Sequence, residues 1–207
     1  MKLIEKYLET WHKLSISNRF QYKRVQAIDK ICNNQILQKN SFPIKIIEIG
    51  CGEGKDFIKF LSNRNDLKLV GLDVKDHKIK QDNFQMIVED AEHISFPDKY
   101  FDYAISIGVL EHITPIEKLC SAIREIDRVS KSYCVVVPSI NTLLEPHTGS
   151  FKWQLKDHNK KEMVSFGLNY ISDDGWLEFS GFKNAQTLRY DYIPMLINDL
   201  IIFKNEA

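Results

Sequence analysis

The apolar residues of this chain follow first a helical rhythm and then a strand-like one. Leu3, Ile4, Tyr7, Leu8, Trp11 and Leu14 recur at helical spacing, and Val25, Ile28, Cys32 and Gln35/Ile36 mark one side of a second helix over residues 19–38. Phe42-Pro43 breaks that pattern. Short apolar runs then begin at Ile44, over residues 67–73 and over residues 84–88, while residues 101–109 and 133–137 are nearly all apolar, as centrally buried parallel strands are. Helical patterns separate some of these runs. One is Asp56-Phe57-Ile58-Lys59-Phe60-Leu61, and another is opened by Thr114 as N-cap, Pro115 at the first helical position and Glu117 at the third, a capping box, with Ile116, Leu119, Ile123 and Ile126 as its buried stripe. Residues 75–81 between the second and third strands are short and polar. Residues 139–181 lose periodicity, which in a compact domain points to a lid or binding loop, and two further strands close the chain over residues 184–192 and 200–204.

Composition narrows the classes. A chain of 207 residues fits one α/β domain with a substantial core. Its 28 basic and 28 acidic residues balance, with no block of like charge, which argues mildly against a dedicated nucleic-acid binder. The scattered cysteines Cys32, Cys51, Cys120 and Cys134 form no C-x-x-C pair and read as reduced core or turn residues. Residues 1–13 lack the apolar core of a signal peptide, and no apolar stretch approaches a membrane span, so a cytoplasmic protein is expected. No His/Asp/Glu cluster stands at ligand spacing, so no metal site is expected.

The chemistry centres on Ile46-Ile47-Glu48-Ile49-Gly50-Cys51-Gly52-Glu53-Gly54, a strand that runs into a glycine turn and then a helical pattern. Glycine there accepts positive φ and lets a ligand approach the backbone. A dinucleotide fingerprint would place its third glycine at position 55, which is Lys55; the spacing is G-x-G-x-G. Glu48 to Gly54 resembles motif I of the class I S-adenosylmethionine-dependent methyltransferases. Asp73 after the second strand, Asp90-Ala91 after the third, and Phe96-Pro97-Asp98-Lys99-Tyr100-Phe101-Asp102 leading into Gly108-Val109-Leu110-Glu111-His112 follow as further landmarks in order.

The resemblance implies a single doubly wound, Rossmann-like domain. Its seven-stranded sheet would be mostly parallel with an antiparallel last strand. Residues 1–40 would supply N-terminal helices, 44–138 the cofactor core, 139–181 an acceptor-side lid and 182–207 a terminal β-hairpin. It implies S-adenosylmethionine as cofactor. Gly50, Cys51, Gly52 and Gly54 would meet the methionyl part, Glu48 the ammonium and Asp73 the ribose hydroxyls. Asp90 and the Ala91 N–H would meet the adenine edge, with Val74 and Ile94 on its faces. His112 or His147 would act as general base if the acceptor must lose a proton. Leu144-Glu145-Pro146-His147-Thr148, with Phe151 and Trp153, also resembles a segment of methyltransferases of bacterial surface-polysaccharide biosynthesis, which suggests a hydroxyl on a sugar or small metabolite. Trp153, Phe166, Tyr170 and Trp176 would line that acceptor site or pin the loop, and Tyr7, Trp11 and Tyr22 are lid positions. Methylation of nucleic acid or protein, and a catalytically silent cofactor-binding partner, stay open as alternatives.

Overall fold

The computed structural model describes residues 18–61, 64–145, 147, 151–153, 167–193 and 196–206. The helix expected from Leu3 to Leu14, with Tyr7 and Trp11, lies outside them, as does Phe166. Seven strands form one sheet: β1 (Ile44–Ile49), β2 (Leu67–Asp73), β3 (Phe84–Val88), β4 (Phe101–Ile107), β5 (Ser130–Pro138), β6 (Gln186–Ile193) and β7 (Ile197–Lys204). Their order is β3-β2-β1-β4-β5-β7-β6. The first five strands pair in parallel, β7 runs antiparallel to β5, and β6 runs antiparallel to β7. This is the doubly wound arrangement expected, with the penultimate strand position in space filled by the last strand in sequence.

Strand alternation divides the core into two layers. Ile47 and Ile49 of β1 point to one face and join Leu119, Ile123 and Ile126 of helix α2 (Ile116–Val129), with Trp176 and Phe182 closing over them. Ile46 of β1 and Ile105 of β4 point to the other face and meet Val25 and Ile28 of helix α1 (Asn18–Ile31), together with Phe57 and Leu61. Each fully buried side chain of this kind contributes about 1.5–3 kcal/mol of transfer free energy. Half-buried Arg24 of α1 and buried Asp199 of β7 form an ion pair at 3.3 Å that ties the first described helix to the last strand.

Three local expectations are corrected. The pattern from Asp56 to Leu61 forms turns and a short 3-10 stretch, Ile58–Leu61, instead of an α-helix. Glu48, buried beneath it, takes the Ile58 N–H as its backbone donor, which fixes that segment as a cap over β1. The capping box at Thr114 does not form. Pro115, in extended conformation after a cis Thr114-Pro115 peptide, is the N-cap residue, no side chain caps the helix, and Glu117 therefore falls one position earlier than a capping box needs. The second helix ends at Ile31, where Asn33 and Asn34 take positive φ, and Cys32 and Ile36 are buried from the following turns. The polar link between β2 and β3 carries no helix, as its sequence suggests.

Candidate functional site

Strand order reverses between β1 and β4, so the carboxyl ends of β1, β2 and β4 open a crevice there. The chain leaves β1 in a turn where Gly50, Gly52 and Gly54 have φ of 68°, 50° and 69°. At Gly50 a Cβ would lie 2.4 Å from Val109 Cγ2, so the glycine lets the β1 and β4 exits touch. Beside it lies a cavity of about 290 Å³ lined by Ile49, Gly50, Leu72, Asp73, Val74, Glu89, Asp90, Ala91, Val109, His112, Ile113, Thr114 and Lys118. A larger hollow of about 440 Å³ lies at the opposite, amino-terminal end of the strands, among Lys45, Leu67, Phe84 and Tyr100. In an open α/β sheet the switch-point crevice, not that end, takes the ligand.

Asp73 stands at the end of β2 and grips the glycine turn. Its Oδ2 accepts from the Gly52 N–H at 2.9 Å, and Oδ1 accepts from the Lys75 N–H at 3.1 Å and lies 3.3 Å from His77 Nε2. His77, which reads as a plain loop residue in sequence, thus adjoins the site. Asp90 sits at the rim, with Lys118 Nζ 4.0 Å away and the Glu92 N–H donating to its Oδ1 at 3.2 Å. Val74 is 65% exposed at the mouth, while Ala91 is buried in the wall. The segment that carries Ala91 is held by Arg128, which donates to the Ile94 and Phe96 carbonyls at 2.8 Å each.

Five predicted cofactor residues do not line this cavity. Ile94 is 1% exposed and packs in the α2-side core, because Glu125 Oε2 accepts its N–H at 2.8 Å and turns its side chain inward; Ile113 lines the cavity instead. Glu48 faces the opposite layer of the sheet, and burial pushes its carboxyl well above the usual range. Cys51 is likewise buried, its Sγ 3.7 Å from Met86 Sδ, and burial pushes its thiol up to about 12. Gly52 and Gly54 shape the turn without forming cavity wall. Glu89, Val109, Ile113, Thr114 and Lys118 do form wall; Glu89 and Val109 follow closely on β3 and β4, whereas Ile113 and Thr114 lie on the link to α2 and Lys118 in its first turn.

On the far side of the cavity the residues of the β4 exit meet those of the irregular segment. His112 is exposed, and its ring meets His147 edge-on, with centroids 5.2 Å apart and planes at 79°. His147 Nδ1 lies 2.8 Å from Oε1 of the fully buried Glu145. That hydrogen bond raises the His147 pKa, whereas burial and then the neighbouring His147 lower that of His112. Glu111 is 4% exposed, neither carboxylate oxygen has a hydrogen-bond partner among the described residues, and burial pushes its pKa up to about 7. The two predicted histidines are therefore brought together, with two carboxylates that sequence reasoning passed over. Of the aromatic residues, Tyr170 packs against Trp153 with centroids 5.1 Å apart and planes tilted by 45°, and lines a small recess with Glu111 and His147. Trp176 is 1% exposed in the main core and cannot line an acceptor site. Tyr22 packs on Phe60 at 5.4 Å, away from the cavity walls.

A family model described as a methyltransferase domain matches residues 47–137. An uncharacterised protein of Methanocaldococcus jannaschii is 31% identical over 72% of this chain and 55% of its own length. The tRNA (carboxymethyluridine(34)-5-O)-methyltransferase of Schizosaccharomyces pombe is 31% identical over 40% of this chain and 35% of its own length. The chain thus spans about half the length, or less, of these relatives. Among solved structures, the N-terminal domain of EvdMO1 with S-adenosylhomocysteine bound matches with a TM-score of 0.57 and 16% identity, over 90% of this chain and 81% of that one. Among the described residues, no helix is long and apolar enough to cross a membrane. The strand order, the glycine turn and the family model agree: residues 47–137 match the methyltransferase-domain family, and the chain has the fold of solved S-adenosylmethionine-dependent methyltransferases.

Proposed function

We propose that this protein transfers the methyl group of S-adenosylmethionine to an oxygen of a small hydroxylated acceptor such as a sugar or metabolite. The cofactor supplies a methyl carbon already activated by its sulfonium, so the protein's part is to bind, align and manage one proton. The residues present fit the cofactor. The φ of 68° at Gly50 and its contact with Val109 leave backbone, not side chain, facing the methionyl part. In this reading Asp73 exchanges its loop partners for the ribose hydroxyls, and Val74, Ala91 and Ile113 form the apolar walls of the adenine pocket. Asp90 and the Ala91 N–H then serve the adenine edge. Glu48 and Cys51 support the turn from beneath.

The observation that carries the oxygen reading is the pair of imidazoles, His112 and His147, where the cavity meets the irregular segment. A nitrogen-rich, partly desolvated corner beside the methyl donor suits an acceptor that must shed a proton, as a hydroxyl must. The names of the yeast relatives favour a second reading in which the oxygen belongs to a modified nucleoside of tRNA. The balance of 28 basic and 28 acidic residues supports the small-acceptor reading over that one.

Calorimetric titration of S-adenosylhomocysteine into the wild type and Asp73→Ala tests the cofactor site. Hydrogen bonds to a charged acceptor contribute about 1.5–3 kcal/mol, so binding should weaken roughly 10- to 150-fold with the fold intact. Equal binding by both proteins would refute the assignment of Asp73. A labelled-methyl screen against hydroxylated small molecules and bulk tRNA then separates the two acceptors, since label in RNA sensitive to ribonuclease would overturn the small-acceptor reading.

A further inference from the structure

The fold brings one carboxylate oxygen and two imidazole nitrogens, from Glu111, His112 and His147, within 4.8 Å of one another. We propose that these three side chains form a binding site for a divalent first-row transition cation, such as Zn²⁺ or Mn²⁺, at the acceptor side of the cavity. Two imidazoles and one carboxylate are a donor set that such cations accept while leaving positions open for a further oxygen ligand.

Two features support it. First, Glu111 is 4% exposed and both of its oxygens lack hydrogen-bond partners among the described residues, although neighbouring backbone is hydrogen-bonded, with the Asn169 N–H donating to the Glu111 carbonyl at 2.6 Å. A buried carboxylate in that state is costly, and a cation supplies what the protein does not. Second, His147 is oriented as a ligand. Its Nδ1 lies 2.8 Å from Glu145 Oε1; in the tautomer with the ring proton on that nitrogen the Nε2 lone pair is available, the carboxylate–histidine arrangement that accompanies metal-bound imidazoles. Donor atoms around a cation with bonds of about 2.1 Å stand roughly 3–4 Å apart. The cluster needs to contract by only about 1 Å, which side-chain rotation supplies.

His112 also lines the cavity beside Gly50 and Val109, so the site touches the place where the methyl group would lie. Resting on the methyl-transfer reading above, the site would hold the acceptor oxygen and ease loss of its proton to solvent. The oxygen–carbon bond then forms as the sulfur–carbon bond breaks, and the electron pair of that bond stays on sulfur.

The test is calorimetric titration of chelator-stripped full chain with ZnCl₂ and, separately, MnCl₂, for the wild type, Glu111→Gln, His147→Gln and the exposed control His93→Gln. One equivalent should bind the wild type and the control with micromolar or tighter affinity, at least tenfold more weakly in the Glu111 and His147 variants. Co²⁺ absorption of the wild type, and an anomalous-scattering peak between the three side chains in soaked crystals, keep the test decisive if a variant does not fold. The absence of saturable binding, unchanged binding in both variants, or a peak elsewhere would overturn the proposal and leave a proton-sharing cluster. S-adenosylhomocysteine titrated into the same metal-free protein is an independent measurement, so failure of the cofactor reading and failure of the cation site are told apart.

Discussion

Replacing Gly50 by alanine isolates the contact on which the geometry of the crevice depends. The φ of 68° is in the left-handed region, which costs an L-residue about 1–2 kcal/mol. The added Cβ would lie 2.4 Å and 2.6 Å from the two Val109 methyl carbons, an overlap of the kind that costs about 1–3 kcal/mol when neighbours must shift. The smaller conformational freedom of alanine in the unfolded chain returns about 0.4–1 kcal/mol. A net loss of about 1.5–4 kcal/mol follows, or roughly 3–16 °C in Tm for a chain of this size. Urea unfolding followed by circular dichroism measures it, and the cycle with Val109→Ala apportions it. Removing the two Val109 methyls relieves the overlap but not the backbone strain. The double variant should therefore recover about 1–3 kcal/mol of the loss, while S-adenosylhomocysteine binding recovers in parallel. Additivity within about 0.5 kcal/mol would refute the reasoning, because it would mean that Val109 moves aside without cost.

Asp66 is held in a bidentate pair by Arg64, at 2.7 Å to each oxygen, and also accepts the Asn40 N–H at 2.7 Å. The Arg64 hydrogen bonds hold its carboxyl well below the usual range, so its folded pKa lies under the unfolded one. The stabilisation is therefore complete above about pH 4 and is lost as pH falls through the folded value. Asp66→Asn should cost about 1.5–3 kcal/mol at pH 7, and the gap to the wild type should narrow below pH 4; a gap that stays constant down to pH 2 would contradict this. Cys32, Cys51 and Cys134 are buried, and burial raises all three thiols. Only half-buried Cys120 should react promptly with a thiol reagent at pH 8, and rapid titration of more than one thiol in folded protein would count against the packing described.

Residues whose role follows from strand burial were legible in the chain itself. Leu67–Asp73 and Phe84–Val88 are bounded in the structure where their apolar runs predict, and Asp73 falls at a strand end beside the glycine turn because both features are local. Helix ends were less legible. Thr114 has the composition of an N-cap, yet the extended Pro115 starts the helix, and Asp56 to Leu61 has helical periodicity but is drawn into a short 3-10 cap over Glu48.

Side-chain direction within the site was not legible at all. Ile94 and Ile113 are equally apolar and equally near a strand end, and the Glu125 bond to the Ile94 N–H decides that only Ile113 faces the cavity. The grouping of Glu111 and His112 with His147 has no sequence spacing to announce it, since it depends on how the segment after β5 folds back over the β4 exit. The sequence by itself determined the parallel strands, the glycine turn and hence the resemblance to the methyltransferases, because period and local stereochemistry are written residue by residue. The tertiary structure alone decided which carboxylates face the cavity, which are buried beneath it and which histidines meet, because those follow from packing between segments distant in the chain.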